Sequence, residues 1–302
     1  MVSIKTRLSG IELDNPVIPA SCTFAFGEEF QQFYYLNILG SISFKGTTVE
    51  ERPGNVLPRI AECPAGMLNS VGLQNPGVKK VVEEELPRLG KIFHKPLIAN
   101  ISGFSIEDFS LLSEAMDQVE NVGILEVNIS CPNVSHGGMA FGTDPKSVEA
   151  VCRAVKEKTK KPVYMKLSPN VTDITEMARA AESAGADGIA LINTVLGMRI
   201  DIRKRKAVLA NKVGGYSGPG IFPIAVRAVY QVHQAVKLPL IGMGGIRNAG
   251  DVVEMMMAGA SAVEIGAENL VHPHVCEEII EELPLLCEEL RIEDIQDIIG
   301  II

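Results

Sequence analysis

The chain of 302 residues is 46% hydrophobic and 22% charged, a balance that excludes a disordered or low-complexity protein and suffices for a large buried core. Its net charge of -9 argues against a broad nucleic-acid surface, which needs clustered positive charge. No apolar run reaches the roughly 18 residues needed to cross a bilayer, so no membrane association is expected.

In chain order, residues 4–14, broken by Ser9-Gly10, read as a small hairpin. Short β-rich runs follow at 16–20 and 41–44, and then a Pro/Gly-rich loop at 46–78 that is too long for a simple connection. A strand at 96–101 leads to a helical pattern at 106–120. A strand at 124–129 leads to a helix at 145–158, where Thr143-Asp-Pro supplies an N-cap with proline in the first turn. A strand at 163–167 precedes the helix at 171–184, with a cap-like Thr172-Asp-Ile-Thr175 and Gly185 as its C-cap. A strand at 188–192 opens a second long loop, 193–219, which contains the basic run Arg203-Lys-Arg-Lys206. That run reads as a solvated loop tip or a contact to an acidic partner. A helix at 223–236, a strand at 238–241, a helix at 248–258 and a strand at 262–265 complete the series.

Eight strands alternating with helices favour a closed (β/α)8 TIM barrel over an open doubly wound sheet, because connections of this length are right-handed crossovers between neighbours. With no low-complexity linker or internal repeat, residues 1–302 are expected to form one domain. Both long loops follow strands and would rise over the C-terminal rim as a lid or a subunit contact. The six cysteines, at 22, 63, 131, 152, 276 and 287, form no Cys-x-x-Cys pair and have no histidine at zinc-finger spacing. No metal site is expected. The N-terminus lacks a signal-peptide pattern, so a cytoplasmic protein with reduced, mostly packing thiols is expected.

In a barrel the active site gathers at the carboxyl ends of the strands, and those ends can be read in order. They give Ser21, Lys45-Gly46, Asn100, Asn128 with Cys131, Lys166, Asn193-Thr194, Gly244-Gly245 and Gly266-Ala267. Three carboxamides and two lysines on one rim suit a planar, carbonyl-rich or anionic ligand. Any one asparagine alone would read as a turn or a cap. The glycines after the last two strands let backbone N–H groups approach a phosphate, aided by the following helix start. Gly242-x-Gly244-x-x-Arg247 lacks the third glycine of a dinucleotide fingerprint and lies late in the chain, which argues against NAD binding there. Flavin mononucleotide has the right shape, its phosphate on the glycines and its ring over the lysines and asparagines. Cys131 ends a buried run and is followed by Pro132, so it reads either as a catalyst or as a small buried hydrophobe.

Several motifs together resemble one family over nearly the whole chain. They are Phe44-Lys-Gly-Thr47, Asn69-Ser-Val-Gly-Leu-Gln-Asn75, Asn128-Ile-Ser-Cys-Pro-Asn133, Gly137-Gly-Met-Ala-Phe-Gly-Thr-Asp-Pro145, Lys166-Leu-Ser-Pro169, Asn193-Thr194, Gly215-Tyr-Ser-Gly-Pro-Gly220 and Gly242-Met-Gly-Gly245. The resemblance is to the catalytic subunit of class 1 dihydroorotate dehydrogenase, most closely the NAD-linked 1B type. It implies FMN-dependent oxidation of (S)-dihydroorotate to orotate in pyrimidine biosynthesis, with Cys131 as general base. It further implies that Lys45, Asn69, Ser70, Val71, Gly72, Leu73, Asn128, Asn133, Asn193 and Thr194 hold the substrate. Ala20, Ser21, Lys45, Gly46, Asn100, Asn128, Lys166, Ile192, Gly218, Met243, Gly244, Gly245, Gly266 and Ala267 would form the flavin site, with Lys166 near the N1/O2 edge.

The chain shows no ferredoxin-like cysteine cluster, so electrons must leave through a partner. In the 1B family that partner is a subunit with FAD and a [2Fe–2S] cluster, in a heterotetramer of two of each chain built on a homodimer of the catalytic one. Class 1A members act instead as homodimers with fumarate, and the 137–145 loop resembles 1B. Other readings of the same residues are a dihydropyrimidine or dihydrouridine reductase, and a cofactor-free phosphate-binding isomerase or aldolase barrel. A non-catalytic scaffold would leave the converging Asn and Lys side chains without a purpose.

Overall fold

The computed structural model describes residues 2–129 and 141–302. The strands are β1 (Thr6–Leu8), β2 (Ile11–Leu13), β3 (Val17–Pro19), β4 (Ile60–Cys63), β5 (Gly66–Asn69), β6 (Leu97–Ile101), β7 (Val122–Asn128), β8 (Val163–Lys166), β9 (Gly188–Leu191), β10 (Val195–Met198), β11 (Ile200–Asp201), β12 (Lys206–Ala207), β13 (Val213–Ser217), β14 (Leu240–Met243) and β15 (Ala262–Ile265). Seven of them form a parallel sheet in the order β3-β15-β14-β9-β8-β7-β6. Residues 40–47 close the ring. They receive and donate backbone bonds on one side to β3 (Gly40 N to Val17 O, 3.0 Å; Ser43 N to Pro19 O, 3.2 Å) and on the other to β6 (Ile98 N to Ile42 O, 2.9 Å; Phe44 N to Ile98 O, 3.1 Å). The expected strand at 41–44 is thus a single isolated bridge, Ser43 to Ile98, with another beyond it at Thr47 to Ile101, rather than a regular ladder, and the expected strand at 238–241 lies two residues later, at β14. The architecture is the TIM barrel that the alternation of elements implied.

The helices outside the ring start where capping chemistry places them. Asp144 accepts a hydrogen bond from Ser147 N at 2.9 Å ahead of Pro145–Lys156, and Ser105 accepts from Asp108 N at 3.1 Å ahead of Ile106–Asp117. Asp173 caps Ile174–Ser183 and Asn248 caps Ala249–Met257. Each helix turns one apolar stripe to the sheet, such as Val148, Val151, Cys152 and Val155, spaced three and four residues apart. Among the described residues no helix is long and apolar enough to cross a membrane.

The barrel interior is layered, because alternate residues of each strand point inward. The lowest layer is apolar: Ile18, Ile98, Ile124, Tyr164, Ala190, Ile241 and Ala262 pack with Leu8 and Leu13 of the β1–β2 hairpin, which plugs the amino-terminal mouth. Thr6 Oγ1 to Ser261 O (2.6 Å) and Ser9 Oγ to Asp187 O (2.9 Å) tie that plug to the strand starts. Two residues further along the strands the layer turns polar, with Asn100, Glu126, Lys166 and Glu264. One more step up β7 brings Asn128 to the rim.

The two long segments read as loops share one sheet, and the second also holds the two-stranded β11–β12 pair. β10, β13, β5 and β4 pair antiparallel in that order, with Gly215 opposite Asn69 and Ile60 opposite Asn69. This small sheet stands beside the carboxyl rim and brings the 69–73 segment to the barrel mouth. The basic run of 203–206 lies at a turn in which Asp201 accepts from Arg203 N at 3.1 Å and Lys204 N at 3.0 Å, a solvated tip.

Candidate active site

One cleft at the carboxyl rim encloses about 980 Å³ of empty space, part of it open to solvent. All eight strand ends contribute to it. Ala20 and Ser21 follow β3, Lys45 follows the closing segment, and Asn100, Asn128 and Lys166 end β6, β7 and β8. Ile192, Asn193 and Thr194 follow β9; Met243, Gly244 and Gly245 end β14; Gly266 and Ala267 follow β15. Asn69, Val71, Gly72 and Leu73 reach in from the small sheet, and Gly218 from the end of β13. Gly46 stands behind this wall, where an added Cβ would lie 2.7 Å from Asn100 Oδ1, and Ser70 is fully buried. Cys131 and Asn133 lie outside the described residues.

The 69–73 segment is held from behind by Asn75. Its Oδ1 accepts from Thr48 N (3.2 Å) and Gly77 N (2.9 Å), while its Nδ2 donates to Thr48 Oγ1 (2.8 Å) and Leu73 O (2.7 Å). These bonds fix Gly72 and Leu73 at positive φ, 79° and 57°, so Leu73 keeps a left-handed conformation that is costly for a branched side chain. Across the cleft, Asn193 Nδ2 donates to Asn128 Oδ1 at 3.3 Å, and Asn193 Oδ1 accepts from Thr194 N at 2.7 Å. The carboxamides are therefore oriented before any ligand arrives.

Gly244 and Gly245 take φ values of 127° and 80°, and a Cβ on Gly245 would meet Gly218 O at 2.8 Å. Only glycine lets the chain turn there while leaving backbone close to a ligand. Lys45, Lys166, the Asn69, Asn128 and Asn193 carboxamides and the backbone of the Gly244-Gly245 turn supply the polar groups of the cleft. A polar, phosphate-bearing ring system fits this donor set.

Lys166 is the electrostatic centre of the floor. Its side chain is 7% exposed, and its Nζ bonds Glu126 Oε1 at 2.9 Å and Glu264 Oε2 at 3.2 Å. Burial disfavours its charge, but the two carboxyl groups outweigh that and raise its pKa. Lys166 thus remains a cation despite its depth.

The residue-by-residue reading missed Cys22, Thr23, Ser217 and Ile221, which also line the cleft. Cys22 sits at φ 78°, and Lys45 Nζ is 2.8 Å from its Sγ. Burial pushes that thiol up, yet Lys45 beside it and Lys166 beyond bring the net shift down. Its position next to Ser21, immediately after a barrel strand, was the available signal.

A profile described as dihydroorotate dehydrogenase matches residues 3–286. The dihydroorotate dehydrogenase B (NAD(+)) catalytic subunit of Bacillus pumilus (strain SAFR-032) is 54% identical over 297 residues, covering 98% of this chain and 96% of the relative. The subunit of the same name from Geobacillus sp. (strain WCH70) is 54% identical over 300 residues, 99% of this chain and 96% of the relative. That from Halalkalibacterium halodurans is 53% identical over 300 residues, at 99% and 98% coverage. With this rim assembled and this similarity extending over nearly its full length, the chain belongs to the dihydroorotate dehydrogenase family.

Proposed function

We propose that this chain is the catalytic subunit of an NAD-linked dihydroorotate dehydrogenase, oxidising (S)-dihydroorotate to orotate in pyrimidine synthesis with FMN bound across the barrel rim. The observation that carries the reading is the gathering of Lys45, Lys166 and the Asn69, Asn128 and Asn193 carboxamides in one cleft with the Gly244-Gly245 turn. Bound FMN supplies a hydride acceptor for the substrate C6. The phosphate end is assigned to Gly244, Gly245, Gly266 and Ala267, and the ring end to Ala20, Ser21, Lys45, Gly46, Asn100 and Lys166. Ile192, Gly218 and Met243 pack around it.

Lys166, held charged, offsets negative charge that develops on the reduced ring, an electrostatic contribution made without reorganisation. Asn69, Asn128, Asn193 and Thr194 present donors and acceptors to the pyrimidine edges and carboxylate, assisted by the backbone of 70–73 and by Asn133. Cys131, three residues beyond Asn128, takes the C5 proton. A thiol of ordinary pKa near 8.5 suits this work when a cation favours the thiolate, and such a base contributes about 10²- to 10⁴-fold in rate.

The relatives' name, catalytic subunit of an NAD(+) enzyme, supports a second subunit that carries the electrons onward. We assign that subunit FAD and a [2Fe–2S] cluster, in an assembly of two of each chain around a homodimer of this one. The test is anaerobic mixing of the purified chain with dihydroorotate, followed by NAD or fumarate. Bleaching of the flavin, with reoxidation by NAD only when the partner subunit is added, is the expected result. A colourless protein, or fumarate turnover by this chain alone, would overturn the proposal.

A further inference from the structure

The polar layer beneath the cleft carries one ammonium and two carboxyl groups, from β8, β7 and β15. Both glutamates are fully buried, and their carboxyl groups are in hydrogen-bonding contact with each other. If both were ionised, two like charges would adjoin at a site shielded from solvent, against the one ammonium of Lys166. Pairs in that situation retain a proton.

The hydrogen bonds say where the charge sits. Glu126 Oε1 accepts from Lys166 Nζ at 2.9 Å, from Asn100 Nδ2 and from Ser43 Oγ at 3.4 Å. Among the described residues Glu264 Oε2 accepts only from Lys166 Nζ, at 3.2 Å. The remaining oxygens, Glu126 Oε2 and Glu264 Oε1, are shielded from solvent and have no donor among the described residues. A single proton held between the two carboxyl groups supplies the donor that their mutual contact needs. The richer donor set makes Glu126 the carboxylate and Glu264 the acid.

We infer that Glu126 and Glu264 share one proton and act as positioning residues, holding Lys166 as a cation at the cleft floor in a triad that is neutral overall. Burial raises the Glu264 pKa, as does the Glu126 charge, whereas Lys166 and the hydrogen bonds to Glu126 lower that of Glu126 against burial. Among the described residues the other titratable groups facing this layer are Lys45 and Cys22 above it and Tyr164 below. The shared proton stands independently of the substrate, while its effect on the cofactor rests on the cleft being the flavin site. The flavin then meets a fixed dipole from the triad, and Lys45, paired with the Cys22 thiol, is the cation above it.

The test is infrared spectroscopy of the purified protein with its flavin at pH 7, with ¹³C-labelled glutamate to identify carboxyl bands. One protonated-carboxyl band is expected in the wild type. It should vanish in Glu264→Gln, and also in Glu126→Gln, where Glu264 ionises to become the sole partner of Lys166. Glu264→Gln should leave the flavin midpoint potential at the wild-type value, because the amide replaces the neutral acid. The double glutamine variant should lower the potential, since burial, no longer opposed by a carboxylate, discharges Lys166 and removes its stabilisation of the reduced ring. No protonated band in the wild type, or a band that survives Glu264→Gln, overturns the shared proton, and the labelled wild type decides this even if a variant fails to fold. An unchanged potential in the double variant overturns the positioning role. A protein that binds no flavin sinks the flavin reading, and the infrared result still decides the proton.

Discussion

Replacing Lys166 by Met removes the ammonium but keeps an unbranched chain of similar length in the barrel floor. Glu126, fully buried, retains Asn100 and Ser43 as donors but loses its cation. Stripping one partner from a buried ion pair costs about 3–5 kcal/mol. Protonation of Glu126 offers an escape and sets a ceiling. From the ordinary carboxyl value of 4.5, the neutral form costs about 1.36 kcal/mol for each pH unit above it, hence about 3.4 kcal/mol at pH 7 and about 0.7 kcal/mol at pH 5. Glu264, already the neutral member, adds little to the difference. In the wild type the depressed Glu126 pKa stabilises the fold above pH 4.5, and that stabilisation is lost as pH falls through the lowered folded value. Lys166, its pKa raised, contributes fully at every pH below its ordinary 10.5, so it adds no slope between pH 5 and 7. In Lys166→Met the sign for Glu126 inverts, and stability falls as pH rises past 4.5. Urea unfolding at the two pH values, with midpoints converted through the slope m, should show a loss of about 3 kcal/mol at pH 7 and about 1 kcal/mol at pH 5. An equal loss at both, or a stabilised variant at pH 7, would refute the reasoning.

Three further outcomes are expected. Cys131→Ala should retain the flavin absorbance and orotate affinity but slow flavin reduction by dihydroorotate at least about a hundredfold in single-turnover stopped flow, the lower end of general-base effects; normal reduction would remove Cys131 from the chemistry. Lys45→Met should slow alkylation of Cys22 by iodoacetamide at pH 7 several-fold, read by peptide mass spectrometry, because the cation that favours the thiolate is gone; an unaltered rate would mean that Lys45 does not tune this thiol. Asn75→Ala removes four hydrogen bonds behind the 69–73 segment and should cost about 2–4 kcal/mol of stability. Orotate titration of the flavin spectrum should weaken more than flavin affinity does, and the reverse order would place the segment on the cofactor side.

Much of the fold was legible because its determinants are local. The alternation of apolar strands with capped helices is written in contiguous residues: Asp144 before Pro145, Asn248 before Ala249, Ser9-Gly10 between the strands of the plug. Chain direction then settles which residues end the strands, so Lys166, Asn100, Asn128 and the Gly244-Gly245 pair could be assigned to the rim without knowing which strands adjoin. The small sheet was not legible in the same way. The Pro and Gly content of 46–78 reads as loop, Gly214 and Gly215 depress strand propensity in β13, and the pairing of β13 with β5 joins segments far apart in the chain.

The charges of the floor were decided only by tertiary structure. Glu126 sits in a run that reads as strand core, and nothing beside it in sequence announces a partner. Its cation lies 40 residues away, and Glu264 lies a further 98 residues beyond that cation. Likewise, the thiol of Cys22 meets Lys45 across 23 residues. Sequence alone determined which side chains could face the barrel axis, since that follows from the two-residue repeat of a strand. Which of them share a layer depends on the stagger of strands around the closed ring, and only there do isolated Glu, Lys and Cys side chains come close enough to alter one another's charge.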